Sequence, residues 1–251
     1  MPFDLASVRG RLPDRHIDWF PSVNSTMTLA ASLARDGCAS GTVVGADGQV
    51  AGIGRHGHVW HSEAEAGLYV SIVLRFAVGA SRLPVIMLVL GLATQEAIAE
   101  VTGLAADLRW PNDVMIDGRK CAGILAQLEG GAVVAGIGIN VNHTAFPAEI
   151  EPLATSLRLE GKRGVSREDL LVALIHAVDA STKVLMDRGP SAILDMFSRA
   201  SSYAQGRRVR VEQNGAIIEG TTCGLDPSGF LVVREDSGKE TTILAGGVRP
   251  V

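Results

Sequence analysis

The chain has 251 residues, of which 47% are hydrophobic, and its formal net charge is −4 at pH 7. This length is enough for one large domain, or for a large domain with a small one. The acidic balance, without a block of basic residues, argues against general nucleic-acid binding. The three cysteines, Cys38, Cys121 and Cys223, are scattered and odd in number, which is typical of a reducing cytosol.

The beginning of the chain and its most apolar stretch bear on localisation. Residues 1–14 lack the apolar core of a signal peptide, so we expect a cytoplasmic protein. The apolar stretch 83–101 contains Gln95, Glu96 and Glu100. It therefore predicts a buried helix rather than a membrane span, and we expect no membrane association.

Hydrophobic periodicity and turn residues predict most elements outside the centre of the chain. A helix is expected to begin at Ser25, whose hydroxyl is an N-cap candidate, and to end at Gly37. Ser166 and Asp169 resemble a capping box at the start of a later helix. Residues 9–20 form a lead-in. The predicted strands lie near 16–20, 42–49 and 68–75, and the predicted helices at 81–102, 166–188 and 190–200.

The segment 109–142 is the most informative part of the sequence. Residues 109–113, Arg-Trp-Pro-Asn-Asp, cannot form a helix, because proline fixes its own φ and biases Trp110 towards extended geometry. The pair Asp117-Gly118 then predicts a tight hairpin turn. The return strand brings Lys120 back beside the Asn-Asp pair of this motif.

A second hairpin follows the first. Residues 124–129 turn at Gly130-Gly131 into the apolar run 132–141. The two hairpins bring polar amides, a carboxylate and a lysine together at the ends of adjacent strands. That combination suits an anionic ligand accompanied by a metal ion.

The pattern changes near residue 205. Four short strands, separated by turn residues, are predicted within 207–211, 216–220, 229–233 and 241–244. Strands of this kind favour a small β-barrel. We therefore expect two domains, 1–203 and 204–251.

The central segment resembles the signature of the biotin protein ligases. That signature is (K/R)WPND, then a lysine seven residues after the aspartate in a K-x-A-G-I-L context, then G-x-G-x-N. This chain has Arg109–Asp113, Lys120 followed by Cys-Ala-Gly-Ile-Leu, and Gly136–Asn140. The family's carboxy-terminal pattern G-x-D-x-x-G-x-L is similar to residues 224–231.

The resemblance implies an α+β fold and a two-step reaction. The fold is a mixed β-sheet flanked by helices, like that of class II aminoacyl-tRNA synthetases, with a small SH3-like β-barrel at the C-terminus. Biotin carboxylate attacks the α-phosphate of ATP and releases pyrophosphate, and Mg²⁺ and fixed positive charge assist. A lysine of a biotin carboxyl carrier protein domain then attacks the mixed anhydride.

The resemblance also bears on further domains and on assembly. The Ser25–Thr26 motif comes too early in the chain for a winged-helix domain to precede it. We therefore expect a ligase without repressor function. The resemblance allows dimerisation through sheet edges, and a homodimer is left open here.

The resemblance assigns chemistry to particular residues. Lys120 is expected to contact both the biotin carboxylate and the phosphate. Asn112 and Asp113 are the polar groups for Mg²⁺ and the acceptor lysine, with Asp113 as proton acceptor or metal ligand; turn capping is the alternative. The catalytic set is Lys120, Asp113 and Arg55. Biotin is assigned to Ser25, Thr26, Gln49, Gly52, Arg55, Lys120, Gly123, Ile124 and Gly136, and ATP to Arg55, Trp60, Asn112, Lys120 and Asn140.

The glycine-rich loop 52–60 admits three interpretations. A dinucleotide-binding G-x-G-x-x-G needs a helix directly afterwards, which this sequence does not favour. A protein-kinase loop needs further kinase motifs, which the sequence lacks. The family's own G-R-G-R-x-G-R-x-W loop is matched at Arg55 and Trp60. Ile53 and His58, however, stand where arginines are usual, and we expect weaker ATP or adenylate retention.

Alternative functions follow from such departures. Met27 stands where the family commonly has asparagine, so one polar contact to biotin is in question. A catalytically impaired biotin-binding module and a lipoate or octanoate ligase are the alternatives to a biotin ligase. Zinc bound by the loop histidines His56, His58 and His61 is disfavoured, because a glycine-rich loop without cysteine is a poor closed metal site.

Overall fold

The protein is built on a seven-stranded mixed sheet. The structure is a computed structural model that describes residues 2–76, 82–213 and 215–251, apart from the side chain of His56. The strand order is β1-β2-β3-β7-β6-β5-β4; β1 and β2 are parallel, and all other neighbours are antiparallel. The strands are β1 (Ile17–Phe20), β2 (Val43–Ala46), β3 (Gly67–Leu74), β4 (Asp107–Arg109), β5 (Asp113–Ile116), β6 (Arg119–Glu129) and β7 (Ala132–Asn140).

Helices cover the two faces of this sheet. They are α1 (Leu5–Arg11), α2 (Thr26–Arg35), α3 (Leu83–Thr102), α4 (Leu157–Gly161), α5 (Arg167–Arg188) and α6 (Pro190–Ala200). On one face, Val70 and Ile72 of β3 pack into the large core with α3 and α5. On the other face, Val73 packs against the small residues of α2. Burial on both sides explains why β3 is a nearly continuous apolar run.

The long apolar helix α3 lies inside the protein. Its length and composition alone would allow it to cross a membrane, but 67% of its apolar window is buried. Its buried side chains join those of α5 and the sheet in the main core. The prediction of a buried core helix is therefore confirmed, although Ser81, where the sequence placed its start, lies outside the described residues.

A second, five-stranded antiparallel sheet follows α6. Its order is β11-β10-β9-β8-β12. The predicted α+β fold class is confirmed, and the domain boundary between residues 203 and 204 stays a prediction. The strands are β8 (Gln205–Gln213), β9 (Ala216–Leu225), β10 (Leu231–Glu235), β11 (Glu240–Ile243) and β12 (Val248–Pro250).

The elements that the sequence did not predict are short. Helix α1 (Leu5–Arg11) ends inside the supposed lead-in 9–20, and its N-cap is Asp4, whose side chain accepts a hydrogen bond from the Ser7 amide (2.9 Å). Helix α4 and the three-residue strands β4 and β12 were also missed. Elements of three to seven residues contain too few positions for a periodic pattern to emerge.

Trp110 connects the two sheets. The peptide bond from Trp110 to Pro111 is cis, and the indole is only 2% exposed. Its Nε1–H donates to the carbonyl of Gly229 in the loop before β10 (2.9 Å). Tryptophan is the only side chain that combines this apolar volume with a single N–H donor. The WPND motif therefore also anchors the second sheet.

We expect Trp110→Phe to lower the free energy of unfolding by about 1–3 kcal/mol, because the buried Gly229 carbonyl loses its partner. Urea denaturation measures the loss. The control is Ile217→Ala on the exposed face of β9, where a change within about 0.5 kcal/mol is expected. Equal stability of Trp110→Phe and wild type would contradict this role for the indole.

Candidate active site

Glycines leave one part of the sheet uncovered by side chains. Gly138 on β7 is paired with Tyr69 on β3 and with Gly123 on β6. Gly136, also on β7, is paired with Leu125 on β6. A Cβ atom at Gly138 would lie 2.6 Å from the Trp60 ring, and one at Gly136 would lie 2.5 Å from Met27 Sδ. Only glycine permits these approaches. The result is a cavity floored by bare backbone.

The first predicted hairpin is present, with one irregularity that the sequence did not reveal. Asp117 and Gly118 both have positive φ, as the turn prediction requires. A bulge then shifts the pairing, so that Met115 pairs with Lys120 while Asp113 pairs with Gly123. Alternation along β6 alone would direct residues 120 and 123 to opposite faces. The bulge therefore brings Lys120 to the same face as Gly123 and Asp113.

Asp113 is held by two cations. Its Oδ1 lies 2.5 Å from Lys120 Nζ, and its Oδ2 accepts from Arg109 Nη2 at 2.7 Å and Nε at 3.2 Å. Burial raises the pKa of this carboxyl, but the Lys120 and Arg109 charges and hydrogen bonds outweigh it and hold the pKa below its ordinary value. The ionised carboxylate thus fixes the lysine amine at the edge of the cavity.

Asn112 connects the strand to the glycine-rich loop. Its backbone carbonyl accepts from Ile124 N (2.9 Å), and its side-chain nitrogen donates to Ile124 O (3.0 Å). The remaining amide oxygen accepts from Arg55 Nη1 (3.0 Å). Burial lowers the pKa of the Arg55 guanidinium, opposed by the Asp113 charge, but arginine stays charged at neutral pH. Asn112 thus both fastens the chain just before β5 to the middle of β6 and orients Arg55.

A polar network occupies the opposite end of the cavity. Gln49 Oε1 accepts from the backbone N (2.9 Å) and the hydroxyl (3.2 Å) of Thr26. Gln49 Nε2 donates to Ser62 Oγ (3.0 Å), and Ser71 Oγ donates to Thr26 Oγ1 (2.8 Å). Ser25 occupies the N-cap position of α2, but its hydroxyl makes no capping bond. The glutamine caps the helix instead, and the buried Ser25 Oγ has no hydrogen-bond partner in the described structure.

Trp60 closes the side of the cavity that faces the loop. Its indole packs on the backbone of Gly123 and Gly138, and Lys120 Nζ lies 5.2 Å from the ring centroid. The indole Nε1 is buried, with no hydrogen-bond partner among the described residues. The loop itself folds back, since Gly54 N donates to His58 O (2.7 Å). After the loop, the chain continues through an extended segment into strand β3. The dinucleotide-binding interpretation requires a helix at this point and is therefore wrong.

The structure brings most of the predicted site residues to this cavity. Ser25, Gly52 and Asp113 are not among the residues that line it: Asp113 contacts Lys120 and Ser25 is buried next to Thr26 in the chain, while a Cβ atom at Gly52 would lie 2.9 Å from Ser62 Oγ. Asn140 is buried away from the cavity and donates to Thr155 O (3.0 Å), and its ATP contact stays a prediction. Of the predicted residues, those lining the cavity are Thr26, Gln49, Arg55, Trp60, Asn112, Lys120, Gly123, Ile124 and Gly136.

Four apolar lining residues were not identified from the sequence. They come from the middle of three strands, where nothing but sheet register indicates which residues meet a ligand. The Tyr69 and Leu125 side chains lie on the face of the glycines, whereas those of Val70 and Ile137 point into the opposite core, so these two residues line the cavity through their backbone. Tyr69 and Leu125 are predictable once the pairing with Gly138 and Gly136 is known, because cross-strand partners share a face. The four residues are Tyr69, Val70, Leu125 and Ile137.

Comparison with known proteins places this arrangement in a class. Residues 19–143 match the Biotin/lipoate A/B protein ligase family, and residues 205–248 match the Biotin protein ligase C terminal domain. A biotin protein ligase from Aquifex aeolicus, solved in complex with biotin and ATP, superimposes with a TM-score of 0.83 at 29% identity. The match covers 94% of this chain and 99% of that chain. The fold and site are thus those of a biotin/lipoate-type protein ligase.

Similarity to individual sequences distinguishes the biotin ligases from the other members of this class. The chain is 33% identical over 257 residues to the biotin–[acetyl-CoA-carboxylase] ligase of Mycobacterium tuberculosis, covering 98% of this chain and 94% of that protein. It is 30% identical to the bifunctional ligase/repressor of Bacillus subtilis over 89% of this chain and 71% of the relative. The chain belongs to the biotin protein ligase family, as the central motif predicted.

The Asp113 ion pairs make stability depend on acid pH. Because the folded-state pKa lies below the unfolded-state value of about 3.9, the stabilisation is complete above about pH 4 and is lost as pH falls through the folded-state pKa. Urea denaturation across pH 2–7 should therefore show a steeper acid loss for wild type than for Asp113→Asn. The exposed control Asp14→Asn should follow wild type, and parallel curves for wild type and Asp113→Asn would contradict the ion-pair assignment.

Proposed function

We propose that this chain activates biotin as biotinyl-5′-AMP and transfers it to a lysine of a biotin carboxyl carrier protein domain. The main support is the position of Lys120. Asp113 holds its amine at the edge of a cavity whose floor is glycine backbone. The same cavity has an apolar wall and a polar network at its far end. A site with few convergent polar groups and apolar walls suits a small, largely apolar ligand.

The charge balance around Lys120 favours anions. Lys120, Arg109 and Arg55 supply three positive charges around the single carboxylate of Asp113. The surplus attracts the biotin carboxylate and the ATP phosphates, which otherwise repel each other. These cations are already in place before the reaction, so the site need not reorganise as negative charge develops on the α-phosphate. Fixed charges of this kind, aimed at developing charge, accelerate a reaction most.

The far end of the cavity suits the ureido head of biotin. The Ser25 hydroxyl is buried without a protein partner, so it is available for a polar ligand group. Thr26 and Gln49 lie beside it, already oriented by Ser62 and Ser71. Met27 lies against Gly136 in the position where the family commonly has asparagine, so it offers the ligand an apolar contact instead of an amide.

The reaction then divides into two displacements. A biotin carboxylate oxygen attacks the α-phosphorus of ATP, and the bond to pyrophosphate breaks with Lys120 neutralising the charge on the pentavalent transition state. The acceptor amine next attacks the acyl carbon, AMP leaves with the bonding electron pair, and the proton of the amine passes to the departing phosphate or to solvent. Trp60 and the loop exclude water from the anhydride. The lowered pKa of Asp113 makes it a weak proton acceptor, so its role is to position Lys120.

The predicted Mg²⁺ ligand does not fit the described arrangement well. Both oxygens of Asp113 already face cations, Lys120 on one side and Arg109 on the other. A magnesium ion at that carboxylate would have to displace one of them, since Mg²⁺ needs free oxygen ligands. Asp113 therefore acts on Lys120 and Arg109 rather than on a metal ion. The homodimer stays open, and cytoplasmic localisation stays a prediction.

Replacement of Lys120 tests the function. Wild type should incorporate labelled biotin into an apo biotin carboxyl carrier domain in the presence of ATP and Mg²⁺. Lys120→Ala should lower the rate by about 10²–10³-fold, as expected when a fixed electrostatic group is lost. The matched control Lys183→Ala removes an exposed lysine of α5 and should retain wild-type transfer.

Two outcomes would contradict the proposal. Wild type that binds biotin by calorimetry but transfers none would support an impaired binding module. Wild type that neither binds nor transfers biotin, but charges an apo lipoyl domain, would support a lipoate or octanoate ligase.

A further inference from the structure

A second cavity opens beside the proposed reaction site. Its volume is about 460 Å³, and among the described residues it shares only Gln49 and Trp60 with the first cavity. Its other walls come from Val50, Val59, residues 61–63 and residues 145–147. The proposed ligase reaction leaves this cavity without a role.

Three potential metal ligands meet beside this second cavity. His61 and Glu63 line it, and His143 stacks under Phe146 with a ring-centroid distance of 5.1 Å. One ligand atom from each of His61, Glu63 and His143 lies within 4.8 Å of the other two. The zinc site that the sequence disfavoured grouped His61 with His56 and His58, whereas the structure places His61 beside Glu63 and beside His143, which is distant in sequence.

The hydrogen bonds of His143 leave one of its nitrogens free. The Tyr69 hydroxyl donates its single proton to the backbone carbonyl of Glu63 (2.9 Å). His143 Nε2, 3.3 Å from the same hydroxyl, must therefore be the protonated nitrogen and donate to it. In the neutral imidazole, Nδ1 then carries a lone pair. His143 is 0% exposed, and its Nδ1 has no hydrogen-bond partner in the described structure.

We propose that His61, Glu63 and His143 form a binding site for a divalent transition-metal ion of the zinc class. Two imidazoles and a carboxylate are a ligand set that Zn²⁺ accepts, with a fourth position left for water or another ligand. Imidazole nitrogens favour such ions over Mg²⁺, which separates this site from the ion of the ATP reaction. The chain from His143 through Tyr69 to the Glu63 carbonyl is the outer hydrogen-bond support that metal-bound histidines usually have.

The geometry needs only a small closure around the ion. Ligand atoms about 2.0–2.1 Å from a tetrahedral Zn²⁺ lie roughly 3.3 Å apart, so the present separations must shrink by no more than about 1.5 Å. Glu63 is exposed, and rotation of its side chain can supply most of that change. A bound ion would fasten residues 61–63, which directly follow the glycine-rich loop, to the segment after β7.

Direct metal binding to the full chain tests the proposal without biotin or ATP. Metal-free protein is titrated with Zn²⁺ against a chromophoric chelator, and with Co²⁺ while its visible absorption is recorded. We expect one Zn²⁺ per chain and a Co²⁺ band of four- or five-coordinate type. Glu63→Gln and His61→Ala should each weaken Zn²⁺ binding by roughly tenfold to a hundredfold or more.

The variants are chosen so that misfolding cannot be mistaken for ligand loss. His61 and Glu63 are not core residues, and circular dichroism verifies that both variants are folded. The control His176→Ala removes an exposed histidine of α5 and should bind Zn²⁺ like wild type. Absence of saturable binding, binding unchanged in both ligand variants, or an equal loss in His176→Ala would each overturn the site.

Discussion

The carboxylate of Asp113, whose side chain is only 15% exposed, is the group on which the reaction site depends. Burial alone would favour its neutral form, and two cations reverse that preference. Each cation has a distinct consequence. Arg109 ties the carboxylate to β4, and Lys120 is turned towards the cavity by the bulge in β6. Shielding a carboxylate from water without a partner costs free energy. The ion pairs of Asp113 offset that cost, and they hold the Lys120 amine in a fixed position.

The bare backbone at Gly123, Gly136 and Gly138 is the second constraint. A glycine residue weakens the strand that contains it. Three glycines in the adjacent strands β6 and β7 therefore lower the intrinsic stability of the sheet. Trp60 and Met27 restore part of the packing by lying directly on the glycine backbone. Stability is therefore exchanged for a cavity inside a sheet whose opposite face is fully packed against helices. Substrate recognition takes place where core packing has been left incomplete.

The sequence predicted what short-range rules control. The hairpin at Asp117-Gly118, the buried strand β3 and the helices α5 and α6 follow from turn residues and periodicity, and the central motif indicated Lys120 and Asp113. Three features depended on long-range pairing and were not predictable: the bulge after Lys120, the capping of α2 by Gln49 instead of Ser25, and the cavity wall at Tyr69 and Leu125. The meeting of His61 with His143 belongs to the same group, since sequence distance hides it.

We infer that Asp113 acts on the reaction through Lys120. A double-mutant cycle on biotin transfer, with Asp113→Asn, Lys120→Ala and the double variant, tests it directly. If the carboxylate only positions the amine, Asp113→Asn should hardly lower the rate of biotin transfer in a protein that already lacks Lys120. The double variant should then transfer biotin about as slowly as Lys120→Ala alone. Losses that multiply across the two single variants would contradict the claim, because they would show that Asp113 contributes to the reaction independently of Lys120.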